Sequence, residues 1–156
     1  MAEYSANASQ TVNPGETVIF TTTSVPCYLG LILHRDDTGN FLLAGKTFRA
    51  QNGCACRRSN VVNYDVEFGA NIAIPEGGTV GEISVAITID GATVPASQMI
   101  VTPAAVEEYF NVSRGVNVPI FKGCCESVSV RNTSDQPILV QNANIRFSRP
   151  DLAGRF

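Results

Sequence analysis

The residues best able to do chemistry in this 156-residue sequence are five cysteines and one histidine. Cys54-Ala55-Cys56 is a short pair, Cys124-Cys125 is a vicinal pair, and Cys27 stands apart. An odd count leaves one thiol over if every bridge lies within one chain. Three readings stay open. The thiols are reduced structural residues, as a cytoplasmic product would keep them. Alternatively, one or two disulfides form after release, within or between subunits, with Cys54 or Cys56 to Cys124 or Cys125 as the first pairing to test. In the third reading they hold a metal with help from His34. The spacings do not match the paired C-x₂₋₄-C pattern of structural zinc sites, so they are weak support for a ligand set.

His34 lies in Leu31-Ile32-Leu33-His34-Arg35-Asp36-Asp37, at the end of a strand entering a charged turn. Nucleophilic catalysis needs a base within hydrogen-bond reach of its nucleophile. A turn-edge histidine is more often solvated than catalytic. The carboxylates Asp36, Asp37, Asp65, Glu67, Glu107 and Glu108 form pairs on paper. Asp36 and Asp37 suit a turn, where Asp bonds its own backbone. With Asn40 they also offer the hard oxygen ligands that Ca²⁺ takes, without EF-hand spacing. Asp65 and Glu67 share the outer face of a strand, and Glu107-Glu108 reads as a solvated rim. Acid pairs that hydrolyse glycosides need a cleft and a set separation, which a sequence does not display. Neither G-x-x-x-x-G-K-[ST] nor G-x-G-x-x-G occurs. Sequons at Asn7, Asn111 and Asn132 matter only in a secretory pathway. The expectation is a non-enzymatic protein with no cofactor and no resident metal.

The elements that would position these residues are strands. Tyr64, Val66, Phe68, Ala70, Ile72 and Ile74 share one parity, and Ile83, Val85, Ile87 and Ile89 repeat the habit. Successive strand residues point to opposite faces, so each set lines a buried face. Turn signals divide the strands: Asn13-Pro14-Gly15-Glu16, Asp36 to Asn40, Pro75-Glu76-Gly77-Gly78, Asp90-Gly91 and Asn132 to Gln136. Asp90-Gly91 is the sharpest, because a two-residue hairpin turn needs positive φ angles. Strands at about 8–12-residue spacing with such turns read as a sandwich or barrel. The best helical candidate, Pro103 to Phe110, is one or two turns at most. Arg49 to Asn60 reads as the longest loop.

Composition agrees. Hydrophobic residues make up 44% and charged residues 16%, below the usual charged share of about 25%. That deficit points to a surface partly covered by copies of itself. Net charge is −3 with no basic stripe, which argues against a nucleic-acid partner. No apolar run approaches the ~18 residues of a membrane span. The start, Met1-Ala2-Glu3-Tyr4-Ser5-Ala6-Asn7, lacks the basic and apolar regions of a secretory signal, so synthesis in the cytoplasm is expected.

Several segments, in order, carry a resemblance. They are Thr11-Val12-Asn13-Pro14-Gly15-Glu16-Thr17-Val18-Ile19-Phe20, Asn63 to Ile72, Val80 to Gly91 with Thr93-Val94-Pro95, and Ser127 to Asn132 with Ile138 to Phe147. Together they resemble the globular trimeric heads of the complement/tumour-necrosis-factor jelly-roll class. The version at the tips of bacterial exosporium collagen-like proteins is the nearest match, and similar stand-alone domains occur in Firmicutes and their phages. The resemblance implies an all-β jelly roll of about ten strands, assembled as a compact homotrimer without catalytic residues. The chain has no collagen stalk and carries a cysteine-rich loop, unlike the exosporium pattern.

The expected organisation is an N-terminal arm over residues 1–9, a jelly roll over 10–148 and a tail over 149–156. Tyr64, Phe68, Tyr109, Phe110 and Phe147 are the candidates for a trimer interface, with burial inside each subunit as the plainer role. Tyr4, Leu152 and Phe156 are the candidate anchors of docking arms. The expected role is decoration of a phage capsid, with sister copies and the major capsid protein as partners and the virion surface as location. The alternative is a spore- or cell-surface head that binds a receptor or glycan through Asp36–Asn40 and Arg49–Asn60.

Overall fold

The computed structural model describes residues 1–47 and 60–152. Among these, every regular element is a strand or a single 3₁₀ turn, and the strands form two antiparallel sheets. The strands are β1 (Ala2–Ala6), β2 (Gln10–Val12), β3 (Thr22–Val25), β4 (Ile32–His34), β5 (Phe41–Ala44), β6 (Val61–Ala73), β7 (Ile83–Ile89), β8 (Ala92–Thr93), β9 (Met99–Val101), β10 (Phe110–Phe121), β11 (Cys125–Asn132) and β12 (Ile138–Ser148). One sheet runs β10-β6-β12-β1-β3, with β2 also on β12. The other runs β4-β5-β11-β7-β8, with β9 also on β7.

The period-two reading holds along β6. Val62, Tyr64, Val66, Phe68, Ala70 and Ile72 are buried, while the residues between them face outward. On β7 the second parity is buried too: Ser84, Ala86 and Thr88 join Ile83, Val85 and Ile87. The outer hydroxyls there are roofed by others, with Thr88 Oγ1 2.6 Å from Ser129 Oγ and Ser84 Oγ 2.7 Å from Thr133 Oγ1. The two inner faces close over one core. Phe41 lies at its centre, with Tyr4, Phe20 and Phe147 at ring-centroid distances of 4.9, 5.3 and 4.9 Å.

Asp90 (φ 48°) and Gly91 (φ 81°) both take positive φ and join β7 to β8, as the hairpin chemistry requires. Asn142 (φ 52°) marks a bulge between Gln141 and Asn144, which lets β12 switch its pairing from β2 to β1. Pro103 to Phe110 forms no helix. Its backbone N–H groups at Ala104 and Ala105 donate to Glu108 Oε2 at 2.8 and 3.2 Å, and Glu107 N–H donates to Ile74 O. Phe110 already begins β10.

Within the described residues, the segments expected as arms are built into the fold. Residues Ala2–Ala6 are an interior strand, with Ala2 opposite Phe147 on β12 and Glu3 opposite Val25 on β3. The alternation that buries Ala2, Tyr4 and Ala6 is only three residues long, too short to stand out in the sequence. The C-terminal side is pinned by Arg149. Its guanidinium is buried, donates to Lys46 O at 2.7 Å and to both Asp151 carboxylate oxygens, and lies 5.3 Å from the Tyr64 ring centroid. That tie sets the 3₁₀ turn Pro150–Leu152, whose Leu152 side chain is buried.

Candidate functional site

The strand register places Met1 and the Arg149–Leu152 segment at one end of the sandwich, beside Phe121 and the turn between β10 and β11. The opposite end carries the β6–β7 and β11–β12 loops. Between those loops lies a cleft of about 620 Å³, bounded chiefly by Thr79, Glu82, Ser84, Gln98, Ser134 and Asp135.

Side-chain bonds to backbone hold this cleft open. Gln136 bridges the loops twice, accepting from Thr79 N–H at 2.9 Å and donating to Thr79 O at 2.7 Å. Ser134 Oγ does the same to the next strand, accepting from Ser84 N–H at 2.7 Å and donating to Ser84 O at 3.1 Å. Asn132 supports both from below. It is fully buried, donates to Val12 O and Gln136 O at 2.9 Å each, and accepts from Ser134 N–H at 2.8 Å. The β6–β7 turn is equally fixed: a Cβ at Gly78 would stand 2.5 Å from Ile74 Cγ2. By contrast, the exposed carboxylates of Glu82 and Asp135 and the exposed amide of Gln98 have no side-chain partner among the described residues.

A second groove, of about 530 Å³, crosses the outer face of the β10-β6-β12-β1 sheet over Gly69 and Gly115. Four of its polar side chains are bonded in pairs. Arg146 pairs with Glu67, and Asn144 donates to Glu3 at 2.5 Å. Asp65, on the same face, accepts from Asn117 at 3.0 Å. The outward placement of Asp65 and Glu67 follows the sequence pattern, and both acids are engaged within the sheet.

The structure brings the residues singled out by sequence to different places. Tyr64, Phe68 and Phe147 are buried inside the subunit and cannot face a sister copy; Tyr109 and Phe110 stay partly exposed, at 40% and 36%. Tyr4 and Leu152 are buried as well, so neither anchors an arm. Phe156 lies outside the described residues, as do Cys54, Cys56 and most of the Arg49–Asn60 loop. Cys27 packs partly buried against the core, whereas Cys124, in the β10–β11 turn, and Cys125, the first residue of β11, are exposed. Among the described residues, no three His, Cys, Asp or Glu side chains group as metal ligands.

His34 is not a solvated turn residue. Its ring stacks on Phe41 at 4.2 Å and meets Tyr4 edge-on at 5.0 Å. Nδ1 lies 3.1 Å from Asn40 O and Nε2 3.2 Å from Phe20 O, so both nitrogens face backbone carbonyls. The ring ties the β4–β5 hairpin to Phe20, in the segment between β2 and β3, and is not free to serve a thiol or a substrate. Burial pushes the Tyr4 phenol up to about 12 and raises Tyr64 as well. At the surface, a hydrogen bond from Glu126 holds Asp90 below the ordinary carboxylate value, and Asp90 in turn pushes Glu126 up.

No protein-family model matches the chain, and no curated protein matches it in sequence. Among solved structures, it is similar to the globular domain of zebrafish complement 1qA protein, at 13% identity over 93% of this chain and 94% of that one, with a TM-score of 0.54. The chain shares the jelly-roll fold of complement heads. It also overlaps a sugar-binding EclA C-terminal domain (13% identity, 90% and 79% covered, TM-score 0.41) and a family 35 carbohydrate binding module from an environmental isolate (15%, 95% and 93%, 0.40). These last two lie too far away to add weight. The exosporium and phage parts of the resemblance rest on sequence alone.

Sequence reasoning missed the cleft. Glu82, Gln98 and Asp135 come from three separate loops, and their spacing fits no motif. The available signal was the run Asn132-Thr133-Ser134-Asp135-Gln136, which reads as a turn but also concentrates polar side chains at one corner.

Proposed function

We propose that the chain is a non-enzymatic head domain that works by binding. It assembles as a homotrimer, with the chain-termini end seated on a larger protein lattice such as a phage capsid. The observation that carries this reading is the complement-head fold with Met1 and Leu152 at one end of the sandwich. That arrangement leaves one end to dock and the other to face outward. Exposed apolar side chains at the docking end support it: Tyr28 is 82% exposed, Phe121 64% and Met1 41%. Docking is then by an end face and not by flexible arms. Contact between copies has support in Tyr109 and Phe110 at the start of β10, which among the described residues is an edge strand paired only with β6. Threefold repetition makes a weak contact per copy sufficient, because the second and third contacts form at high effective concentration.

Multi-angle light scattering of the purified chain should give three chain masses at micromolar concentration, and Phe110→Asp should shift it toward monomer. A monomer throughout would sink the trimer. For docking, Tyr28→Asp with Phe121→Asp should abolish co-sedimentation with capsid shells, while Glu82→Gln should not. A second reading, a spore- or cell-surface head that binds a receptor or glycan, is favoured by the open polar cleft at the outward end.

A further inference from the structure

We infer that the cleft between the β6–β7 and β11–β12 loops binds a neutral, hydroxyl-rich ligand, a glycan chain, through Glu82, Asp135 and Gln98. The proposal rests on reading the chain as a head that presents this end outward. It does not depend on which particle carries the head, and it places recognition away from Asp36–Asn40.

The size is suitable: about 620 Å³ falls within the roughly 300–1,000 Å³ of small-ligand sites. The lining decides the ligand class. Such sites are usually apolar, whereas here hydroxyl, amide and carboxylate groups dominate, so an apolar molecule would leave them dehydrated and unpaired. The two carboxylates are acceptors only and call for a ligand rich in donors. Among the described residues no lysine or arginine lines the cleft, so sulfated, phosphorylated or uronate ligands would meet uncompensated negative charge. Neutral sugar hydroxyls satisfy both conditions, since adjacent hydroxyls can donate as a pair to one carboxylate. Val80, 51% exposed, lines the cleft and offers apolar surface to the C–H face of a pyranose.

Two features separate this cleft from the groove on the sheet face. In the groove, Glu67 and Glu3 are already bonded to Arg146 and Asn144, so a ligand would have to break those bonds first. In the cleft, the carboxylates and the Gln98 amide are unbonded, while the backbone beneath them is clamped by Gln136 and Ser134. Fixed walls with free polar groups lose little freedom on binding, which favours affinity.

The test uses the full chain and isothermal titration with cello-, xylo-, manno- and N-acetylglucosamine oligosaccharides, with sulfated and uronate oligosaccharides in parallel. At least one neutral oligosaccharide should bind, and Glu82→Gln and Asp135→Asn should each weaken it about tenfold or more. Neither side chain has a protein partner, so both variants should keep the wild-type unfolding midpoint, and loss of binding reads the site and not the fold. Absence of binding to every neutral oligosaccharide, tighter binding of the anionic ones, or binding undiminished in both variants would overturn the proposal. So would binding that requires added calcium. The oligomer and capsid-docking measurements use Phe110, Tyr28 and Phe121, so failure of the head reading and failure of the cleft are told apart.

Discussion

Replacing Asp151 should destabilise this protein more than replacing its buried partner, Arg149. The Arg149 side chain is 0% exposed and that of Asp151 is 53% exposed, so only one member of the pair depends on the other for its charge to be tolerated. Burial works against the Arg149 charge, and the hydrogen bonds and charge of Asp151, with Tyr64, outweigh it, holding the guanidinium above its ordinary value. Asp151→Asn leaves a buried cation with Lys46 O and the Tyr64 ring as its remaining partners. Orphaning a fully buried charge costs about 3–5 kcal/mol. The half-exposed carboxylate is already partly screened, and the amide keeps one acceptor, so about 2 kcal/mol is expected here. Arg149→Met removes the charge together with its desolvation penalty and keeps the packing of the stem, so about 1 kcal/mol or less is expected. The double variant should lie within about 0.5 kcal/mol of Arg149→Met, because Asp151 has nothing left to compensate. Urea unfolding with unchanged slope measures all three. Asp151→Asn falling at or below Arg149→Met would refute the reasoning.

Tyr4→Phe should be neutral at pH 7, because the Tyr4 hydroxyl has no hydrogen-bond partner among the described residues. The raised phenol contributes stability that is intact below pH 10 and lost as pH climbs toward about 12, so the variant should lose less stability over that window in pH-dependent urea melts. Gly45→Ala should cost about 2 kcal/mol or more, since its Cβ would sit 2.2 Å from Phe121 O, a backbone atom. Gly69→Ala meets nothing closer than 3.8 Å and should be neutral or about 0.5 kcal/mol stabilising. Asn132→Ala should cost about 3 kcal/mol, as it leaves two carbonyls and the Ser134 N–H without their buried partner. Thermal midpoints, moving about 2–4 °C per kcal/mol at this size, rank the three.

Strands β6 and β7 were legible because apolar and polar residues alternate cleanly along their sequences, whereas β10, with Asn111, Ser113, Arg114 and Asn117 among few inward apolar residues, was not. The Asp90-Gly91 hairpin was legible because its φ requirement has a residue signature. β1 was not, since three inward residues separated by Glu3 and Ser5 look like any polar-apolar mixture. Its strand character comes from β12 and β3 on either side. His34 was misplaced for the same reason: the sequence shows Arg35 and Asp36 beside it, whereas the ring turns the other way, onto Phe41. The trimer aromatics on β6 and β12 were read with their plainer role in view, and that role is the one they fill. The cleft depends on three loops meeting at one corner, and tertiary closure of that kind leaves no periodic trace.

The place of β1 between β12 and β3 has a consequence for how the chain is made. Strand β1 pairs with Ala143–Phe147, which leave the ribosome about 140 residues after it. Until that stretch is made, the apolar side of Ala2, Tyr4 and Ala6 waits uncovered, and the sheet cannot close. Non-local pairing of this kind folds slowly. A nascent chain held open for that long is a natural client for chaperones, and cooler, slower expression should raise its soluble yield.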